Sequence, residues 1–119
     1  MTVIDWEALR NRYQEVDVST RLGALASNLS RIHSLSLRGE QSAVVIHLIR
    51  ESQFLIEWTA PNLEIEFAAE LVELQRLLGS WYYHWDEVWT TPEQRNQLIK
   101  QSQYWAEFLL QRSQFCKTI

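Results

Sequence analysis

Apolar residues recur along most of the chain at steps of three and four, which places them on one face of an α-helix. A short first helix is predicted from about Asp5 to about Glu15, with an apolar side made of Trp6, Leu9 and Tyr13. A second helix begins at Asp17 or Ser19 and ends at Gly39, because glycine is a common residue just past a helix end. Its stripe comprises Val18, Leu22, Leu25, Leu29 and Ile32.

A third helix is predicted from about Glu40 to about Trp58, and we expect it to be the most buried. The segment 43–49 is apolar almost all round, as in helices that are surrounded by protein. Its β-branched residues could instead form a short buried strand, but no second strand-like run is present to pair with it. Helix is therefore preferred, with nearly inaccessible side chains at Val44, Val45, Leu48 and Leu55.

The segment 59–62 contains Pro61, which disfavours helix just before it and is tolerated in the first turn of a helix. This segment therefore ends the third helix and starts the fourth. The fourth helix is predicted as one rod about 40 Å long. Its stripe is Leu63, Phe67, Leu71, Leu74, Leu78, Trp81, Trp85 and Val88. A capping-box pattern over Thr91–Gln94, with proline in the first helical position, starts the fifth helix. The apolar face of that helix is Leu98, Trp105, Phe108, Leu109 and Phe115.

Four long amphipathic helices with short connections pack most simply as an antiparallel up-and-down bundle. The sequence therefore predicts an all-α fold of this kind, with the short N-terminal helix as a lid or brace. A chain of 119 residues lies in the usual size range of one domain, so we expect a single domain over residues 1–119.

The net charge is −4 and neither half of the chain is basic, so we expect no nucleic-acid partner and no anionic membrane surface. No apolar run approaches the roughly 20 residues that span a bilayer, and the first residues do not resemble a signal peptide. Cys116 is the one cysteine, which excludes an intrachain disulfide and suits a reducing compartment. Its expected role is a small apolar residue in the last turn. The predicted location is the cytoplasm.

Sequence patterns typical of catalytic and cofactor sites are absent. No glutamate precedes a histidine by three residues, no Cys-x-x-Cys occurs, and the three glycines are isolated from one another. We therefore predict no cofactor, no metal and no catalytic residue. His47 and Glu51 are one turn apart and could share a cation with His84 and Glu87, although histidines at helix packing edges are the preferred interpretation.

The most unusual segment runs from Trp81 to Trp89. On a helical wheel Trp81, Tyr82, Trp85 and Trp89 fall together on the core stripe. The preferred interpretation is bulky core filling at one end of the bundle. The alternative is an aromatic pocket for a flat or cationic ligand, because the faces of these rings attract both.

A second apolar line lies opposite the core stripe of the fourth helix, at Ile65, Ala69, Val72 and Tyr83, and Arg76 interrupts it. A helix whose outer face is exposed to solvent does not need a line of apolar residues on that face. Either the short N-terminal helix covers it or another subunit does. An acidic edge of Glu66, Glu70 and Glu73 runs beside the core stripe; such edges are usually solvated, but in coiled coils they select basic partners.

Three hypotheses for the function follow. The leading one is a non-catalytic module for protein–protein interaction or self-association, for example as a homodimer. The second is a bundle that binds an aromatic or cationic small molecule at the Trp81–Trp89 cluster. The third is a hydrolase whose carboxylates and histidine assemble only in the fold, which requires them at hydrogen-bond distance.

Overall fold

The computed structural model describes the backbone of residues 5–117 and the side chains of residues 5–113. Over residues 5–117 it contains six α-helices, one 3-10 turn and no strand, so the predicted all-α class is confirmed. The helices are α1 (Trp6–Gln14), α2 (Val18–Arg38), α3 (Ser42–Thr59), α4 (Ile65–Tyr83), α5 (Trp85–Thr90) and α6 (Pro92–Lys117), with the 3-10 turn at Ala60–Asn62. The radius of gyration is 14.1 Å, close to the value of about 13.5 Å expected for a compact chain of this length.

The ends of the first two helices are set by the residues that the sequence indicates. The Asp5 carboxylate accepts a hydrogen bond from the Ala8 amide at 3.1 Å, and the Asp17 carboxylate accepts one from Thr20 at 2.7 Å. Gly39 has a φ of 67°, in the left-handed region that favours glycine. These N-caps and the predicted end of the second helix are confirmed.

The core is built from α2, α3, α4 and α6. The largest fully buried side chains are Leu22, Leu25, Leu29, Ile32, Val45, Ile49, Leu55, Leu71, Leu74, Leu78, Leu98 and Leu109. In α3, the predicted burial of Val45, Leu48 and Leu55 is confirmed, but Val44 is only half-buried. The prediction that this helix is the most buried is wrong, because α2 has ten buried residues against seven in α3.

Helix α2 is more buried because it lies between α3 and α6. Near the start of α2, the Ser19 hydroxyl donates to the carbonyl oxygen of Ser113, near the end of α6, at 3.1 Å. Near the end of α2, His33 Nδ1 lies 2.8 Å from the carbonyl oxygen of Ile99, in the first half of α6. These two contacts show that α2 and α6 run in opposite directions.

Helices α2 and α3 also run in opposite directions. The guanidinium of Arg21, at the start of α2, donates to the carbonyl oxygen of Trp58, at the end of α3, at 2.9 Å. Farther along α2, the Asn28 amide donates to Glu51 at 3.0 Å. Several helices therefore pack side by side with antiparallel neighbours.

The prediction of one continuous fourth helix from Leu63 to Val88 is wrong. The helix begins at Ile65 and is divided at His84, whose φ of −103° and ψ of 31° lie outside the helical range. After this break the short α5 packs against α6, and Val88 is buried. The apolar spacing continues through the break, although the α-helix is interrupted there.

Helix α6 begins at Pro92, as predicted, and Thr91 before it is extended, with φ −94° and ψ 116°. The Thr91 carbonyl oxygen accepts a hydrogen bond from the backbone amide of Arg95 at 2.9 Å. The capping-box pattern predicts that the Thr91 hydroxyl caps this helix, but the described residues show no hydrogen bond of that hydroxyl. The predictions for Phe115 and Cys116 concern side chains outside those that the structure describes.

No helix in the described part of the chain is long and apolar enough to cross a membrane.

Candidate interaction surface

The outward side of α4 carries an exposed row of apolar residues, which we call the outer line: Ile65, Ala69, Val72 and Tyr83. These positions are separated by four, three and eleven residues, close to whole helical turns, so they share one face. The buried residues of α4 lie on the opposite face. In the outer line Ile65 is 87% exposed, Val72 47% and Tyr83 84%.

The short N-terminal helix does not cover the outer line, so that alternative from the sequence is wrong. Helix α1 lies on α3 instead, where the ring of Trp6 stands 4.5 Å from the ring of Phe54 between centroids. The ring of Tyr13 lies 6.2 Å, between centroids, from the ring of Trp58, which is also in α3. The aromatic side of α1 is therefore already used within the chain, and the outer line faces outward.

Acidic side chains flank the outer line on one side. At about 100° per residue, Glu66 and Glu73 stand roughly a quarter turn from it. Glu73 lies 3.6 Å from Arg76, the one cation within the row. Glu70, nearer the core, accepts a hydrogen bond of 2.9 Å from Arg112 of α6.

A shallow groove with a volume of about 490 Å³ lies at the break between α4 and α5, and we call it the junction groove. It is lined by Ile46, Tyr82, Tyr83, His84, Trp85, Asp86 and Glu87. The indole N–H of Trp85 donates to the Ser42 hydroxyl at 3.1 Å. The Trp85 ring is tilted by 33° against the ring of Trp89, with centroids 5.3 Å apart. The groove therefore has an aromatic wall beside exposed carboxylates.

The structure brings only some of the predicted pocket residues together. Tyr82 and Trp85 line the junction groove. Trp89 does not line it, although its ring contacts that of Trp85. Trp81 is buried in the core and borders a different groove, with Val88. The prediction that Tyr82 lies on the core stripe is wrong, because Tyr82 is 41% exposed. The guanidinium of Arg50 lies 5.2 Å from its ring centre. A pocket formed by all four predicted residues stays a prediction.

The histidines do not form a metal site within the described residues, where no cluster of histidine, cysteine and acidic side chains is placed to hold an ion. His47 Nε2 lies 4.0 Å from Glu51 Oε2, longer than a hydrogen bond. The His47 ring stacks on Trp6, whereas His84 meets the Tyr83 ring edge to face at 4.8 Å. The two histidines thus have separate aromatic neighbours.

One aromatic cluster is not predicted from the sequence. Trp6, Phe54 and Trp58 form a row of rings between α1 and α3, and they border a groove of about 710 Å³. The spacing of Phe54 and Trp58 by four residues indicates a shared helix face. The sequence does not show that α1 would dock there.

No family model matches the chain, and no match was found among the curated proteins or the solved structures.

Proposed function

We propose that this chain is a non-catalytic protein-interaction module that binds another protein on the outer line of α4. The observation that carries the proposal is the exposure of Ile65, Val72 and Tyr83 on one helix face, which no other helix of the described residues covers. Exposed apolar patches on protein surfaces commonly mark interaction sites. We place this activity in the cytoplasm, where a chain with one cysteine would remain reduced.

The proposal takes α2, α3, α4 and α6 as an antiparallel up-and-down bundle, with α1 as a brace on α3. In such a bundle each helix needs one apolar face toward the core. Helix α4 has this face and the outer line in addition, so the second face is available for a partner. The partner would add a helix to the outside of the bundle, a common mode of peptide recognition.

The expected affinity from the outer line alone is modest. Complete burial of an exposed isoleucine and an exposed valine contributes at most roughly 3–6 kcal/mol, at about 1.5–3 kcal/mol for each side chain. The contribution here is smaller, because Val72 is only 47% exposed before binding. Association costs about 4–15 kcal/mol in lost freedom of motion. Further contacts beside the outer line are therefore needed for a stable complex.

The test uses three candidate occupants: a second copy of the chain, and two helical peptides of about 20 residues with the same leucine face. One peptide has lysine flanks and the other glutamate flanks. Light scattering measures self-association, and fluorescence anisotropy measures peptide binding. We expect at least one occupant to bind, and Ile65→Glu with Val72→Glu to weaken that binding about tenfold or more while the helical circular dichroism is retained.

A matched control adds the same charge elsewhere, with Asn96→Glu and Gln111→Glu on the exposed face of α6. The control should bind like the natural chain. If none of the three occupants binds, or if both double variants lose binding equally, the proposed function is wrong.

A further inference from the structure

We infer that the occupant of the outer line is a basic amphipathic helix of another protein, and that one of its lysine or arginine side chains enters the junction groove. This inference rests on the proposed function and names the chemistry of the partner.

The first step is the distribution of charge. Residues 63–91, which include α4 and α5, hold six acidic residues and one basic residue, a net charge of −5 with histidine neutral. The rest of the chain holds nine acidic and ten basic residues. The acidic character of the protein therefore lies almost entirely in the segment that carries the outer line.

The second step is that much of this charge is not compensated within the chain. Only two carboxylates of the segment have a cation nearby: Glu70 pairs with Arg112, and Glu73 with Arg76. The other four, at Glu64, Glu66, Asp86 and Glu87, have no ion-pair partner among the described side chains. A partner with lysine or arginine beside its apolar stripe would place cations against them, as flanking charges do in coiled coils.

The third step is the chemistry of the junction groove. It combines the rings of Tyr82, Tyr83 and Trp85 with the carboxylates of Asp86 and Glu87, and no lysine or arginine lines it. Aromatic faces and carboxylates both attract cations. Because Tyr83 belongs to both surfaces, the groove continues the outer line at its C-terminal end.

Two contacts within the chain show that these aromatic residues accept guanidinium groups. Arg50 lies 5.2 Å from the centre of the Tyr82 ring, and Arg95 lies 5.6 Å from the centre of Trp89. Both distances are within the range of cation–π attraction. A basic side chain of the partner would make the same type of contact from the open side of the groove.

The same charges disfavour a second copy of the chain as the occupant. Two copies that met through this face would bring two segments of net charge −5 together. Like charges placed opposite each other reduce affinity and act against the wrong partner. A basic helix has the complementary charge.

The experiment compares the lysine-flanked peptide with the glutamate-flanked one, and with a scrambled lysine peptide that has no apolar face. We expect the lysine-flanked peptide to bind most tightly, and more weakly at about 500 mM salt than at about 50 mM. Asp86→Asn with Glu87→Gln should weaken its binding roughly threefold to tenfold. The control Glu93→Gln with Glu107→Gln, which removes two exposed charges from α6, should have little effect. The indole N–H resonance of Trp85 should shift on binding.

The outcomes separate the inference from the proposed function. Equal binding of the glutamate-flanked peptide, or self-association through Ile65 and Val72, would overturn the inference and leave the proposed function standing. Equal binding of the scrambled peptide, or an unchanged affinity in the Asp86→Asn and Glu87→Gln variant, would also overturn it. If neither the two peptides nor a second copy of the chain binds the outer line, both the inference and the proposed function are wrong.

Discussion

At the scale of single residues, Tyr13 shows how docking of a helix changes the chemistry of a side chain. Burial against α3 raises the pKa of Tyr13 above its usual value of 10.0, and the Glu51 carboxylate raises it further, while Arg12 acts in the opposite direction. The folded chain therefore holds this proton more tightly than the unfolded chain. The stability that Tyr13 contributes is complete below the unfolded pKa and is lost as the pH rises through the raised folded pKa.

We predict that Tyr13→Phe makes the protein less sensitive to alkaline pH. The variant has no proton to lose at this position, so its free energy of unfolding should fall less than that of the natural chain between about pH 9 and about pH 11. Urea unfolding at both values measures the difference. Tyr104→Phe serves as the control, because Tyr104 is exposed. Equal losses in the natural chain and the Tyr13 variant would contradict the prediction.

Individual core positions follow well from the sequence, whereas buried polar positions do not. The stripe of α4 correctly indicates Leu71, Leu74 and Leu78, because a side chain three or four residues along a helix returns to the same face. Arg21 is buried even though it is charged, and it donates to Trp58 and Asn62, which are 37 and 41 residues away. The spacing of residues within one helix does not predict hydrogen-bond partners that are so far away in the sequence.

At the scale of helices, Gly39 and Gly23 illustrate two opposite uses of glycine. Gly39 ends α2 with a φ of 67°, and its amide donates to the carbonyl oxygen of Ser36 at 3.0 Å. Gly23 lies inside α2, and a Cβ atom added there would meet no atom within 4 Å. Other residues would therefore be strained in the backbone conformation of Gly39, whereas Gly23 has room for a side chain.

We predict opposite effects for alanine at these two positions. Gly39→Ala should lower the free energy of unfolding by about 1–2 kcal/mol, because a side chain is strained in the left-handed region. Gly23→Ala should raise it by about 0.5–1 kcal/mol, because alanine loses less conformational freedom in a helix. Urea unfolding of both variants gives the comparison. A stabilised Gly39 variant would show that α2 does not end in this conformation.

The break at His84 explains why the helix count is not predicted correctly. Trp85 and Val88 continue the apolar spacing of α4, so periodicity alone extends that helix to the start of α6. The residues after the break make tertiary contacts that periodicity does not reveal: Trp85 donates to Ser42 at the start of α3, and Val88 is buried in the core. The division also determines the candidate site, because the junction groove exists only where α4 and α5 meet.

At the scale of the whole molecule, the helices differ in how strongly they are held. Helix α1 has no buried residue, and its contacts are mainly those of Trp6 and Tyr13 with aromatic rings of α3. Helix α2 has ten buried residues and lies between two neighbours. Segments with few buried apolar contacts open locally before the rest of a protein unfolds. We therefore expect α1 to be held less strongly than the core of the described chain.

We predict that the amides of α1 exchange with solvent through local opening, on the order of tenfold or more faster than those in the middle of α2, after correction for intrinsic rates. Hydrogen exchange followed by mass spectrometry or NMR measures both helices in one experiment. Trp6→Ala should accelerate exchange in α1 without changing α2 or α6, because it removes the ring that contacts Phe54 at 4.5 Å. Exposed Leu37→Ala is the control and should leave α1 unchanged. If α1 is as protected as α2, or if Trp6→Ala accelerates exchange in all helices alike, then α1 unfolds only with the core and is a structural part of it.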